Sequence, residues 1–152
     1  MPGLSWKCAV LVCAIGTAAA AAPLPDNGMY CHYPKLGGTD TLLVRHLPDG
    51  NMLFGLSTWD ARGQYFGTAG TARSINPGLW RASDPETLCD IAIEQRPDGA
   101  YRVTATGARC GEGQGTPPPQ VNLYPQSSRA ADAPASFGVG DFEHLGCEPP
   151  RR

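Results

Sequence analysis

Two stretches of the chain alternate apolar and polar residues with a period of two, and each is folded about the same tripeptide. Leu42, Val44 and His46 lead into Pro48-Asp49-Gly50, and Met52, Phe54 and Leu56 lead away from it. Ile91, Ile93 and Gln95 lead into Pro97-Asp98-Gly99, and Tyr101, Val103 and Ala105 follow. Such alternation marks a strand with one buried face. Proline presets the turn dihedral, aspartate accepts backbone hydrogen bonds and glycine takes positive φ, so each tripeptide predicts a three-residue hairpin loop. Register follows from the loop. Leu47 faces Asn51, and the pairing runs outward through His46 with Met52, Val44 with Phe54 and Leu42 with Leu56. In the second hairpin Gln95 faces Tyr101, Ile93 faces Val103 and Ile91 faces Ala105. A slip of one residue would put Ile93 on the opposite face from its apolar partners.

The outward faces of the two hairpins differ. Asp90, Ala92, Glu94, Arg102, Thr104 and Thr106 suit water, with Glu94 opposite Arg102 as a surface ion pair. Leu43, Arg45, Leu47, Leu53, Gly55, Ser57 and Trp59 are too apolar for a solvated wall. Either the rest of the domain covers them, through the segments around Tyr65-Phe66 or Phe137 and Phe142, or a partner docks there. Leu43, Leu47, Leu53 and Trp59 are therefore candidate contact residues. A second candidate surface combines Arg62, Tyr65, Arg73 and Trp80, because arginine mixed with aromatic residues suits protein or carbohydrate contacts.

Elsewhere the pattern is shorter. Asp60-Ala-Arg-Gly63 predicts another turn with a strand near residues 64–66, Gly78-Leu-Trp-Arg81 opens a short strand, and Gln120 to Tyr124 forms one more. Residues 111–119 read as a loop, residues 126–134 as a polar excursion, and Phe137 to Cys147 as a return to the sheet. Glycine and proline supply 19 and 15 of the 152 residues, about 22%, which excludes a helical bundle and stays below the level of low-complexity chains. After residue 22 no interval free of both exceeds the 11 residues from Glu86 to Arg96. The fold expected is all-β, a small antiparallel barrel or sandwich built from hairpins.

Met1 to Lys7 is short and carries one positive charge, and an unbroken apolar run from Cys8 leads into an alanine tract, the form of a secretory signal peptide. We assign residues 1–20 to the leader, 21–147 to a single β domain and 148–152 to a disordered tail. The apolar run is too short to anchor the chain in a bilayer. Val12 before Cys13 argues against lipid attachment. Without the leader, Cys31, Cys89, Cys110 and Cys147 remain, an even count that in an exported chain reads as two disulfides among three connectivities. We favour Cys89 with Cys110 and Cys31 with Cys147. The hairpin register places Cys89 opposite Gly107, so its bridge to Cys110 requires a bulge or curl.

Charge is nearly balanced, with 12 basic and 14 acidic residues, which argues against a nucleic-acid partner or a polybasic membrane contact. No close cysteine pair suggests a metal, and no cofactor is implied. Ser57 lacks the second glycine of a nucleophile elbow, and neither glycine-rich stretch ends as a phosphate loop does. His32 reads as a neighbour of a disulfide and His46 as a half-buried strand residue. Asp141, Glu143 and His144 form the one cluster from which a small exported hydrolase could be built, although a strand would send His144 to the face opposite both carboxylates. The stretch with Trp80, Cys89, Ile91, Ile93, Tyr101, Val103 and Cys110 loosely resembles the small exported β-barrel inhibitors of bacterial proteases and lysozymes over about 30 residues. The function expected is binding of a protein or glycan partner in the periplasm or outside the cell, inhibition of an envelope-targeting hydrolase being one form of it. The alternatives are the hydrolase just described and a structural envelope component.

Overall fold

The computed structural model describes residues 27–84, 88–107, 109–110, 117–125 and 147. They form eight antiparallel strands: β1 (Gly28–His32), β2 (Gly38–His46), β3 (Met52–Asp60), β4 (Tyr65–Asn76), β5 (Leu79–Asp84), β6 (Cys89–Gln95), β7 (Tyr101–Thr106) and β8 (Gln120–Pro125). Each pairs with its sequence neighbour, and β8 returns to β1, closing the sheet into a barrel. An up-and-down barrel is thus the member of the expected all-β class that the chain adopts.

Both hairpins have the register that their turns dictate. Val44 faces Phe54 and Leu42 faces Leu56, while Ile93 faces Val103 and Ile91 faces Ala105. The loops share one hydrogen-bond scheme. Leu47 N–H donates to Asn51 O at 2.9 Å and Arg96 N–H to Ala100 O at 2.8 Å, and the carboxylates of Asp49 and Asp98 accept from the N–H of Asn51 and of Ala100. Gly50 and Gly99 have φ of 85° and 81°, the left-handed region that makes glycine the suitable third residue. Glu94 and Arg102 pair at 3.3 Å on the outer wall.

Inward residues fill the barrel. Leu42, Val44, Met52, Phe54, Leu56, Ile93, Tyr101, Val103 and Leu123 are essentially without exposed surface, so the interior is packed side chain rather than cavity. Trp80 lies opposite Ile93 and faces inward, and its indole N–H donates to Gly50 O at 3.0 Å. Tyr30 meets Tyr101 edge to face at 4.7 Å. Together with His46, whose Nε2 lies 3.0 Å from the Tyr101 hydroxyl, these rings close the end of the barrel that carries the two Pro-Asp-Gly loops. Burial holds His46 below the usual histidine range and Tyr101 well above the usual tyrosine range, so the phenol donates to a neutral imidazole.

Both disulfides form as the cysteine pattern suggested. The curl needed between Cys89 and Cys110 starts at Gly107, whose φ is 141°; a Cβ there would lie 2.0 Å from Leu88 O, so only glycine lets the chain turn back against β6. The second bridge ties Cys147 to β1 on the outer wall. Met29, Cys31, Leu43 and Cys147 cluster there with Tyr33 against them, and Cys147 N–H donates to Thr41 Oγ1 at 3.1 Å. Disulfides of this kind place the chain in an oxidising, extracytoplasmic environment. No helix among the described residues is long and apolar enough to cross a membrane. The strand β1 and the reach of β4 to Asn76 extend beyond the alternating pattern. Residues 1–26, 126–146 and 148–152, and with them the leader and tail assignments and the strand expected after Phe137, lie outside the described residues apart from Cys147.

Two measurements test these supports. Bridging residues 116 apart constrains the unfolded chain more than bridging residues 21 apart, so replacing Cys31 and Cys147 by serine should cost roughly 5 kcal/mol and replacing Cys89 and Cys110 roughly 3. Guanidinium denaturation of the two double variants reads the difference. For His46, the unfolded imidazole takes its proton near 6.5 while the folded one resists it. Unfolding free energy should therefore fall as pH drops below about 6.5, and His46→Gln should flatten that slope between roughly pH 7 and 5 in a urea-melt series.

Candidate binding site at the barrel mouth

The other end of the barrel is the mouth, where the connections β1–β2, β3–β4, β5–β6 and β7–β8 lie. A pocket of about 580 Å3 opens between three of these, lined by His32, Pro34, Leu36, Asp40, Thr58, Trp59, Asp60, Ala61, Arg62, Gln64, Pro118, Gln120 and Val121 among others. That volume falls in the range of sites for small ligands or for one projecting group of a larger partner.

Its floor is a row of polar residues on adjacent strands. His32 pairs across the ladder with Asp40, and Asp40 with Thr58. Asp40 and Thr58 continue the inward faces that begin with Val44, Leu42 and Phe54, Leu56. His32 Nδ1 lies 2.8 Å from Asp40 Oδ2. Burial pushes the Asp40 carboxyl above its usual range, and the bond to His32 partly offsets this. Because the carboxylate accepts a hydrogen bond from Nδ1–H, the imidazole leaves Nε2 as its second hydrogen-bonding atom. Held at Nδ1 by Asp40, His32 is an oriented hydrogen-bonding group in the floor of the pocket.

The rim is built by the β3–β4 turn. Asp60 Oδ1 accepts from the N–H of Arg62 at 2.8 Å and of Gln64 at 2.9 Å, and its other oxygen takes the Arg62 guanidinium at 3.0 Å. The Gln64 N–H bond first, and then Arg62, hold the Asp60 carboxyl below its usual range. Arg62 also donates to Gln64 Oε1, which leaves the Gln64 amide nitrogen for a ligand. Trp59, 45% exposed, packs on Tyr65 with ring centroids 4.8 Å apart. Leu36 on the facing loop is 90% exposed.

The contact residues expected from sequence are divided by this geometry. Trp59, Arg62 and Tyr65 come together at the mouth. Leu47 and Leu53 are half-buried on the outer wall nearer the closed end. Arg73 is exposed but lies eight residues along β4 from Tyr65, about 26 Å away along the strand. Leu43 and Trp80, both 3% exposed, offer no surface to a partner: the Cys31–Cys147 cluster covers the first, and strand parity turns the second into the barrel. Asp141, Glu143 and His144 lie outside the described residues. Among the described residues no group of three metal-binding side chains is present.

His32, Leu36, Asp40, Thr58, Gln64 and Gln120 were missed as site residues. One signal was available for Asp40: period two puts it on the same face as Leu42 and Val44, and a carboxylate on an apolar face needs a partner. Comparison with family models, with curated proteins and with solved structures finds no match to this chain.

Truncating His32 to alanine should strand the Asp40 carboxylate and cost about 1–3 kcal/mol at neutral pH. A buried carboxyl with a raised pKa takes its proton in the folded state before the unfolded chain does, so the penalty should shrink as pH falls toward 4. Adding Asp40→Asn should recover part of the loss; urea melts of the single and double variants at two pH values provide the check.

Proposed function

We propose that this protein is an exported, non-catalytic binding domain whose barrel mouth holds a protein or glycan partner. The observation that carries the proposal is the exposed pair Leu36 and Trp59 beside a polar floor, on a barrel whose interior is already full. A filled interior leaves no room for a ligand swallowed whole. The mouth instead suits a group with an apolar body and a hydrogen-bonding tip, which is how both a sugar ring and an aromatic side chain present themselves. Its apolar rim contacts Pro34, Leu36, Trp59 and Pro118, while His32 Nε2, Gln64 and Gln120 supply donors and acceptors below it. The periplasm or the extracellular medium is the compartment in which the partner is met. Inhibition of an exported hydrolase is the form this binding takes if the partner's projecting group belongs to its active-site rim.

Substituting Leu36→Asp and Trp59→Ala should abolish capture of the partner, whether the immobilised wild type is offered extracytoplasmic proteins or a panel of glycans, while the thermal midpoint moves by no more than a few degrees. Leu43→Asp is the contrasting variant and should collapse the melt, because it places a charge in the disulfide cluster. Capture that survives both mouth substitutions would overturn the assignment of the site.

A further inference from the structure

Strands β4 and β5 pair only beside their turn. Arg73 faces Arg81, Ser74 faces Trp80 and, after a shift of register, Asn76 faces Leu79. Continuing that ladder toward the mouth would set Ala72 against Ala82 and Thr71 against Ser83, yet neither pair forms. The strands splay instead, and a slot of about 250 Å3 opens between Thr68, Ala69, Gly70 and Thr71 on one side and Ala82 and Ser83 on the other, with Phe54, Cys89 and Ile91 behind it. Strand β4 is paired with β3 throughout this stretch, and β5 with β6. Among the described residues, each therefore turns one unpaired edge toward the slot.

Exposed edges are normally defended by charge, proline or a bulge. Thr68-Ala69-Gly70-Thr71 has neither charge nor proline, and its side chains are small. The narrow end of the slot carries a second anomaly. Arg73 and Arg81 stand directly opposite each other on the outer wall, both exposed, and among the described residues no carboxylate lies within ion-pair distance of either. Like charges in opposed positions on a sheet destabilise it. The two acids on β6 that flank Ala92, the residue opposite Arg81, are otherwise engaged: Asp90 is hydrogen-bonded to Ser83 and Glu94 pairs with Arg102.

We propose that the slot between β4 and β5 receives an extended segment of a protein partner as an added strand, with a carboxylate at its leading end held between Arg73 and Arg81. Main-chain groups of the segment satisfy the bare edge of residues 68–71, as in recognition by strand addition. The two guanidinium groups supply the direction and the preference for an acidic residue. This site lies on the side wall and does not depend on the mouth. Of the alternatives, a second copy of the chain pairing edge to edge is separated by the test.

The probe is a set of immobilised β-forming peptides that alternate valine with randomised residues, one series ending in glutamate and a matched series ending in lysine. The full chain should be retained by members of the glutamate series and by none of the lysine series. N-methylation of alternate amides in a retained peptide should abolish binding, and the double variant Arg73→Ala/Arg81→Ala should weaken it roughly tenfold or more. Without peptide, the same variant should melt at the wild-type temperature or slightly above it, since it relieves a like-charge pair. Amide exchange at residues 68–71 should slow in the complex. The proposal is overturned if neither series is retained, if binding survives N-methylation or loss of both arginines, or if the free protein sediments as a dimer that the peptides do not dissociate.

Discussion

Closure of the sheet between β1 and β8 is the constraint on which the rest of the structure depends. Among the described residues, Tyr30 pairs with Pro125 and Cys31 with Tyr124 across this seam. A barrel has no edges once closed, whereas the same sheet left open would expose two of them. The Cys31–Cys147 bridge reinforces the seam from outside, because one of its sulfurs belongs to a seam residue and its partner is also bonded to Thr41 on β2. The following residue, His32, is thereby held against Asp40. A covalent device for closing the sheet thus also positions the floor of the mouth.

A weak seam between β4 and β5 divides the barrel into two meanders of four strands. Within each, neighbouring strands pair along most of their length; between β4 and β5 the ladder is partial. The Cys89–Cys110 bridge staples the second meander internally, using the curl at Gly107. Core packing then joins the halves, since Phe54 from one and Ile91 and Ile93 from the other belong to a single apolar cluster. Side chains rather than backbone bonds carry the connection where the strands splay, which is how a closed barrel retains a slot in its side.

The polarity of the two barrel ends follows from their turns. At the closed end, tight Pro-Asp-Gly loops leave little chain to spread, and Trp80, His46 and Tyr101 fill the space beneath while bonding to one another or to Gly50 O. At the mouth, the β1–β2 connection carries Leu36, and Trp59 near the end of β3 leads into the Asp60 turn. Connections at one end of a rigid barrel are where binding groups accumulate, because they vary without disturbing the ladders.

How much of this was legible depended on whether a residue's partner lay nearby in sequence. The β2–β3 and β6–β7 hairpins and the Glu94–Arg102 pair were readable, since period-two alternation and a turn with defined chemistry leave one register that buries Ile93, Val103 and Phe54 together; the cysteine count gave two disulfides, and the favoured pairing formed although the register set Cys89 opposite Gly107. The strand β1 was hidden: Gly28-Met-Tyr-Cys-His32 has no clear alternation because Met29 and Cys31 are buried on the outside and Tyr30 on the inside. That same two-sided burial explains why Leu43 looked like a contact residue and is not. Trp80 gave a similar false signal, as parity alone could not say which face of an isolated short strand turns inward.

By itself, then, the sequence determined the local pairings, the all-β class and the oxidising environment, each a consequence of neighbouring residues or of cysteine count. Tertiary structure alone decided that the sheet closes, which apolar residues lie under the disulfide, and that His32, Asp40 and Thr58 from three strands share one floor. The physical reason is separation along the chain. Register between adjacent strands is encoded in a turn of a few residues, whereas the mouth and the side slot are set by how the first four strands meet the last four, and no local pattern carries that information.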